Sequence, residues 1–512
     1  MAMVELSIMV ERIHSMISFR YDAEAVSGEK VRSILVVHSY PNDLYLSWVI
    51  EYLNEIINRN RGINIKVIDV ATHAWHRESN WKSEIKKYLM STKNNSTEIF
   101  KYFNKKKQIE FITIKKDWIS PIIKLMKIMR KVNNIPNVNS LLNSDIFTRE
   151  QARSIHSSLA NKFWTIYYEP KKHKLRTAIR ALSYELVYEA VTNEMLRNKY
   201  DQVVVCNGRL PNSAGAAQAS KDMNVEVRFL ERGGTPGMLN IFQISPHSMA
   251  ERYLNCLQLW EDYSKDHKVL GETISKSYIK LRSGFDPIAG KSWTKQMIDE
   301  NGEKKHLIKE RKYLCVFYTS TELEFAVYGD VTKPQEFKNQ REALNWLLDF
   351  LSDDWQIVVR RHPHKINRFF QRKDPEAQLW HGLDKDPRVI IVKPDSSLNS
   401  YELAMEANLV CHFNSSIGAE IALLNSVPVL SLGQTYWDDR VEIEKLKLKD
   451  FELNMSENNR SKQLERALRW GLYSAIAGRP FKIIKWRNQR GYMFDCGLYS
   501  KKLKGKLVKE EI

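Results

Sequence analysis

The sequence predicts an α/β protein with two successive domains, each built around a parallel sheet. Three observations lead to this prediction. Short β-branched runs alternate with helical patterns, an arrangement typical of βαβ units. Each run ends in turn or polar residues, and the alternation stops over 283–312 and then starts again. A length of 512 residues also agrees with two domains or more.

The first part of the alternation lies before residue 284. Its strand-like runs, each followed by a polar loop, are 33–37, 64–70, 202–206 and 225–230. Helical patterns lie between them, the clearest being 47–57 and 178–197. We therefore predict a Rossmann-like N-terminal domain over residues 1–300.

The second part restarts after the polar stretch. Its predicted strands are 314–318, 356–360, 389–392, 409–413 and 427–432, and its predicted helices are 340–351, 400–407 and 417–424. We assign 301–475 to a C-terminal Rossmann-like domain and 476–512 to a final helix with a basic tail. The helix near 460–490 is expected to bring the chain back to the N-terminal domain.

Composition narrows the class of protein. The 79 Lys and Arg exceed the 61 Asp and Glu, a net charge of +18 that favours polyanionic partners such as nucleic acid, an anionic membrane or phosphorylated substrates. No nucleic-acid-binding signature is present, so no nucleic-acid partner is predicted. Five scattered cysteines without a CxxC pair exclude a zinc ribbon and fit a reducing cytoplasm. The sequence shows neither a secretory signal nor a continuous apolar span.

The motif CHFNSSIGAE at 411–420 carries the most chemistry. A buried strand is followed at once by a helix, which makes Ser415 or Ser416 the N-cap beside free backbone N–H groups. Such a helix start binds phosphate through its donors and its dipole. Glu420, one turn further, is placed to accept two ribose hydroxyls. The alternative is an ordinary serine cap with a surface glutamate.

Two further polar loops follow strands of the second half. The segment RRHPH at 360–364 places Arg361 and His362 at a strand's carboxyl end, where open α/β sheets bind ligands. His362 is a candidate donor to a phosphate or a nucleobase. Thr319 and Ser320 follow the first strand and would line the same crevice, unless they serve as caps. His362 and His364 lack a third ligand at recognisable spacing, so no metal site is predicted.

The first half offers polar loops at 38–43, 207–209 and 231–234. Asp43 and Glu231 are the acids best placed for proton transfer or nucleophilic attack. A structural salt bridge is the alternative for each. The candidate substrate-binding residues of the whole chain are Asn207, Arg209, Arg232 and Arg361. A helix predicted over 120–132 is basic and amphipathic, which suits either a membrane surface or a core-facing helix with a lysine face.

The order of these motifs resembles a known family. A Thr-Ser-x-Glu loop, His-Pro, Pro-Asp-Ser-x-x-x-Ser-Tyr-Glu and Asn-Ser-Ser-x-Gly-x-Glu follow successive strands at 319–322, 362–363, 394–402 and 414–420. This order is similar to the C-terminal half of bacterial capsular polysaccharide biosynthesis proteins with the GT-B glycosyltransferase fold. That fold has two Rossmann-like domains facing a central cleft, the N-terminal one for the acceptor and the C-terminal one for the nucleotide-sugar.

His-Pro followed by a serine pair also resembles the nucleotide site of GT-B enzymes that use CMP-sugars, such as sialyltransferases and Kdo transferases. The resemblance implies that His362 contacts the CMP and that Ser415 and Ser416 hold its phosphate. The acidic Asp/Glu-Asp-Gly motif of the sialyltransferases is absent here. The catalytic acid or base is therefore assigned without a family motif, with Glu231 as the first candidate and Asp43 as the second.

The function expected from the resemblance is a metal-independent glycosyltransferase of capsule or O-antigen biosynthesis. It would transfer a sugar such as Kdo or another nonulosonate from a CMP-activated donor to a glycan or glycolipid acceptor, with no cofactor besides the donor. We expect a cytoplasmic protein, peripheral on the inner membrane. The alternatives are a CDP-glycerol-type polyol-phosphate transferase and a non-catalytic capsule-assembly scaffold.

Overall fold

The structure is a computed structural model. It describes residues 31–39, 43–59, 62–70, 109–112, 119–163, 165–235, 237–283, 311–321, 337, 339–362, 377–394, 396, 398–424, 427–433, 435–437, 457–482, 484–488 and 491–494. These residues form two compact units. The N-terminal unit contains the described residues up to Pro246 together with those from Gly478 onward, and the C-terminal unit contains His247–Ala477.

The N-terminal unit begins with a parallel sheet. Its elements up to Pro246 are β1 (Ser33–His38), α1 (Asp43–Arg59), β2 (Asn64–Asp69), β3 (Glu110–Ile112), α2 (Ile119–Val132), α3 (Val138–Asn143), α4 (Arg149–Phe163), α5 (Lys174–Arg197), β4 (Gln202–Cys206), α6 (Pro211–Asp222), β5 (Glu226–Arg232) and β6 (Met238–Phe242). The strand order is β3-β2-β1-β4-β5, all parallel, and β6 pairs antiparallel with β5.

The C-terminal unit repeats this plan with a sheet that is wholly parallel. Its elements are α7 (Met249–Ser283), β7 (Tyr313–Tyr318), α8 (Gln340–Phe350), β8 (Trp355–Arg360), α9 (Ala377–Trp380), a 3₁₀ turn (Leu383–Lys385), β9 (Val389–Val392), α10 (Ser400–Met405), β10 (Leu409–His412), α11 (Ile417–Leu424), β11 (Val429–Ser431) and α12 (Glu457–Ile476). The strand order is β11-β10-β7-β8-β9.

Both sheets are buried on two faces because their central strands carry apolar side chains at nearly every position. In β1, Ile34 and Val36 belong to the core that includes Trp48 of α1, whereas Leu35 and Val37 belong to the core on the other face, which includes Val187 of α5. The strand β7 divides its side chains between two cores in the same way. The α/β class predicted from the sequence is therefore confirmed.

The division of the chain differs from the predicted boundary at 300/301, because α7 belongs to the C-terminal unit. The helix packs tightly on α12: Ser275 donates to the carbonyl oxygen of Leu468 at 2.7 Å, and a Cβ on Gly471 would lie 2.9 Å from that of Ser275. The polar stretch after residue 283 follows the end of this helix. The tertiary boundary lies instead between Pro246 and His247.

The chain does return to the N-terminal unit after α12, as expected. The returning segment forms β12 (Arg479–Pro480), β13 (Ile484–Asn488) and β14 (Gly491–Phe494) where a helix was predicted, and the predicted basic tail lies outside the described residues. Gly478 has a φ of +101°, which favours glycine, and β12 then pairs antiparallel with β6. Arg479 also donates to Glu55 of α1. Among the described helices, none is long and apolar enough to cross a membrane.

Candidate functional site

The C-terminal sheet reverses its strand order between β7 and β10. The chain leaves β7 toward β8 on one side and leaves β10 toward β11 on the other. Open α/β sheets bind ligands at this topological switch point, outside the carboxyl ends of the strands. The loops at this point are 319–321 after β7 and 413–416 after β10, and both are rich in polar side chains.

The loops after β7 and β8 are tied together by hydrogen bonds. The hydroxyl oxygen of Thr319 accepts from the backbone N–H of His362 at 2.9 Å, and Ser320 donates its N–H to Gln340 Oε1 at 3.2 Å. The hydroxyl of Thr321 and Nε2 of Gln340 are buried and have no hydrogen-bond partner within the described part of the chain. The structure thus brings the predicted residues Thr319, Ser320 and His362 together at one edge of the sheet.

The start of α11 arranges its two serines differently. Ser415 Oγ accepts from the N–H of Ile417 at 3.4 Å, which makes it the capping hydroxyl. Ser416 instead donates its hydroxyl to Glu420 Oε1 at 3.2 Å, and Tyr401 donates to Oε2 of the same carboxylate at 2.6 Å. Glu420 is only 2% exposed, so it is not the surface glutamate of the alternative interpretation.

Asn414, directly before the two serines, was not among the predicted site residues. It adopts a left-handed φ of +53° and is 7% exposed, yet neither Nδ2 nor Oδ1 has a hydrogen-bond partner in the described residues. Gly433, after β11, packs so closely that any Cβ there would overlap with the Asn414 amide. An unpaired buried amide costs about 1–3 kcal/mol, so such a group in a native protein calls for a ligand or water partner.

His412, the last residue of β10, is a second group that was missed. Its ring is fully buried, stacks on Trp437 with centroids 5.5 Å apart, and accepts from the N–H of Ser415 through Nδ1 at 3.4 Å. Burial lowers the pKa of His412 to about 3, so the imidazole is neutral. A Cβ on Gly418 would overlap with the imidazole, so glycine is required at the second position of α11. His412 therefore holds the serine loop in place.

Two arginines at the end of β8 are buried rather than exposed to solvent. Arg360 donates to the carbonyl oxygen of Lys393 at 2.6 Å and to Ser400 Oγ at 3.2 Å. The Arg361 guanidinium lies 5.9 Å from the centroid of the Trp380 ring. Arg360 thus fixes the loop between β9 and α10, and Arg361 brings a positive charge to the same edge as His362.

The N-terminal sheet has its own switch point, between β1 and β4. Asn207 follows β4 with a φ of +62° and donates from Nδ2 to Glu231 Oε2 at 2.5 Å. Glu231 Oε1 accepts from the N–H of Arg232 at 3.0 Å. Glu231 lies within β5, which runs to Arg232 and is therefore longer than the predicted strand. Asn212 ties the start of α6 to β1 by donating to the carbonyl oxygen of Ser39.

Three further residues of this unit were predicted at the site. Arg209 and Arg232 are half-buried at the same edge as Asn207. Asp43 is the first residue of α1, and its side chain lies outside the described residues. Within the ranges that the structure describes, no group of three His, Cys, Asp or Glu side chains could hold a metal ion.

Comparisons with known proteins return similar structures but no sequence relatives. No family model and no curated protein matches the chain. Among solved structures, the β-Kdo 2,7 transferase of Thermosulfurimonas dismutans KpsC is 15% identical with a TM-score of 0.33, over 63% of this chain and 90% of that one. Staphylococcus aureus MnaA, solved with UDP, is 12% identical with a TM-score of 0.24, over 88% and 92%. The function proposed below therefore rests on the sites themselves and on the motif resemblance found in the sequence.

Proposed function

We propose that the chain is a nucleotide-sugar-dependent glycosyltransferase of GT-B type in bacterial surface polysaccharide biosynthesis. Its donor would be a CMP-activated sugar such as Kdo or another nonulosonate, and its acceptor a glycan or glycolipid. One observation carries the proposal: Asn414, three residues before the first residue of α11, holds a buried amide without a partner in the described residues. A helix start beside a buried donor and acceptor is suited to a phosphate and its attached nucleoside.

The two serines are proposed to contact different parts of the nucleotide. Ser416 directs its only hydroxyl proton at Glu420, so toward a ligand it can only accept. The Ser415 hydroxyl oxygen accepts from the N–H of Ile417, and its proton is available to donate to a phosphate oxygen of the nucleotide-sugar. A phosphate accepts only, whereas a ribose hydroxyl can donate. We therefore assign the phosphate to Ser415 and a ribose hydroxyl to Ser416, with Glu420 and Tyr401 orienting the latter.

His362 and Arg361 supply the other proposed nucleotide contacts. The His362 backbone is held by Thr319, which keeps the side chain at the switch-point edge. The resemblance to CMP-sugar enzymes supports a contact between His362 and the CMP. Positive charge from Arg361 and from the N-terminus of α11 would stabilise the developing charge on the leaving nucleotide without a metal ion.

Glu231 is proposed as the base or nucleophile, with Asp43 second. Support comes from the hydrogen bond from Asn207, which holds one carboxylate oxygen, and from the backbone N–H of Arg232, which holds the other. A carboxylate fixed in this way has a defined direction for taking a proton. Asn207, Arg209 and Arg232 would bind the acceptor. A glycolipid acceptor would place the enzyme at a membrane surface.

The melting temperature of the purified chain with nucleotides tests the donor assignment. A ligand at a hundredfold excess over Kd stabilises the folded state by about 2.7 kcal/mol. CMP should therefore raise the melting temperature by a few degrees, CDP should follow, and UMP and UDP should have smaller effects. Ser415→Ala should weaken CMP about tenfold or more, the scale of one hydrogen bond to a charged group, and leave cytidine unaffected. Ser416→Ala should weaken CMP and cytidine alike.

The same assay contains the outcomes that contradict the proposal. A large shift with UDP and none with CMP would overturn the cytidine donor. Equal losses of CMP and cytidine in the Ser415→Ala variant would overturn the division between the two serines. If the chain is a non-catalytic scaffold, an activity assay should detect neither hydrolysis of the nucleotide-sugar nor transfer, even where the nucleotide binds.

A further inference from the structure

The helix α2 exposes three large apolar side chains and three cations on one face. Ile122, Ile123 and Met126 are 55%, 50% and 54% exposed. Lys127, Arg130 and Lys131 are exposed as well. These six residues, which we call the α2 face, form two rows at spacings of about four residues, so that apolar side chains begin each row and cations end it.

Packing accounts for the other side of α2 but not for this face. Pro121, Ile128 and Val132 are buried, and Lys124 donates to Glu189 of α5 at 2.6 Å. The helix is thereby anchored with a fixed rotation about its axis. No acidic residue occurs in Ile119–Val132, so the positive charge of the α2 face is not balanced within the helix. The outward position of two isoleucines and a methionine therefore indicates an external apolar partner.

We propose that the α2 face docks on an anionic phospholipid bilayer. An amphipathic helix of this kind lies in the interface with its apolar side chains at the headgroup–acyl boundary, while its cations contact the anionic headgroups. A second copy of the chain fits less well, because a twofold contact through this face would bring six cations together. A nucleic acid would use the cations and gain nothing from the exposed isoleucines.

Vesicle co-sedimentation of the full-length chain tests this proposal. The protein should bind vesicles containing phosphatidylglycerol and stay in solution with phosphatidylcholine alone, and added salt should weaken the binding. Each cation near an anionic surface strengthens binding about fivefold, so the triple variant Lys127→Gln/Arg130→Gln/Lys131→Gln should bind about a hundredfold more weakly. The double variant Ile122→Ser/Met126→Ser should lose the part of the binding that survives salt.

Matched variants control for charge and hydrophobicity elsewhere. Lys171→Gln/Arg197→Gln/Lys199→Gln removes three exposed cations of the same unit, and Leu254→Ser/Val269→Ser removes two exposed apolar side chains of the other unit. Both should bind like the wild type. All four variants change exposed positions, and their melting temperatures report whether the fold is retained.

Three outcomes would overturn the proposal. The first is equal binding to phosphatidylglycerol and phosphatidylcholine vesicles. The second is a loss of binding in the control variants as large as that in the α2 variants. The third is a concentration-dependent dimer of the chain that Ile122→Ser/Met126→Ser dissociates while vesicle binding stays unchanged. The proposal is separable from the donor assignment. A chain that binds phosphatidylglycerol vesicles but shows no shift with CMP would contradict the cytidine donor alone.

Discussion

The two switch points of the protein differ in how one asparagine is paired, Asn207 after β4 and Asn414 after β10. At the N-terminal one, Asn207 and Glu231 bind each other, so the carboxylate is held from within the protein. At the C-terminal one, the Asn414 amide is buried with no hydrogen-bond partner in the described residues. A carboxylate held by two donors already has a defined direction for taking a proton. A group that recognises a ligand can receive its partner from that ligand. The difference agrees with the proposed roles of Glu231 as the base and of Asn414 as a ligand-binding residue.

The largest expected effect comes from removing the carboxylate of Glu231, the proposed base or nucleophile. Glu231→Gln should lower kcat by a hundredfold or more, roughly the contribution of a positioned general base, and leave the Kd for CMP unchanged. Glu226→Gln, at the other end of the same strand, is the matched control and should keep activity. Steady-state kinetics and calorimetric CMP titration measure the two quantities. Full activity of Glu231→Gln together with an inactive Asp43→Asn would transfer the role to Asp43.

A medium effect should follow from deleting the unpaired amide. Asn414→Gly keeps the left-handed backbone, since glycine adopts φ of +53° without strain. We expect the Kd for CMP to rise about tenfold, the loss of one or two hydrogen bonds, with no fall in melting temperature. Asn224→Gly, which has φ of +56° in the N-terminal unit, is the control and should bind CMP normally. An unchanged Kd for CMP in Asn414→Gly would contradict the proposed donor site.

The smallest effect concerns pH. Burial lowers the pKa of His412 to about 3 in the folded chain, below its ordinary value of 6.5 in an unfolded chain. Protons therefore favour the unfolded state below pH 6.5, and the stability from neutral His412 is lost progressively as pH falls toward 3. One such group contributes a slope of roughly 1.4 kcal/mol per pH unit. His412→Asn keeps an acceptor for Ser415.

We expect the melting temperature of His412→Asn to fall less steeply than that of the wild type between pH 6.5 and 4.5. Above pH 7 the two proteins should have parallel pH profiles. Burial also lowers the pKa values of His38, of His156 (to about 4) and of His173, which remain in both proteins and contribute to the common part of the slope. Identical slopes throughout would show that His412 is already accessible to protons in the folded state.

The sequence predicted most elements of the C-terminal sheet well because each strand is short, apolar on both faces and followed by a polar turn. The helix predicted at 417–424 has the same ends in the structure. The proximity of Asn207 and Glu231 also follows from sequence, because parallel strands end at the same edge of a sheet. The sequence did not show that α7 belongs to the C-terminal unit. A polar stretch marks the end of a helix, but only its packing on α12 shows to which unit the helix belongs.

The residues missed at the candidate donor site were missed for a physical reason. Asn414 stands in the motif that the sequence singles out, but whether an amide is paired depends on neighbours from other segments. Gly433 and Trp437 approach Asn414 and His412 only after β11 has joined the sheet. No local pattern around residues 411–420 carries that information.

The sequence by itself determined the α/β class, the polar loops at the strand ends, the serine-capped helix and the basic amphipathic helix, because each is encoded in neighbouring residues. Only the tertiary structure decided that Ser416 donates to a buried Glu420, that Asn414 has its amide buried, and that Ile122 and Ile123 of α2 are exposed while Ile128 is buried. Burial and hydrogen-bond pairing are properties of side chains brought together from distant segments. They arise only when the strands have taken their order and the helices have covered them.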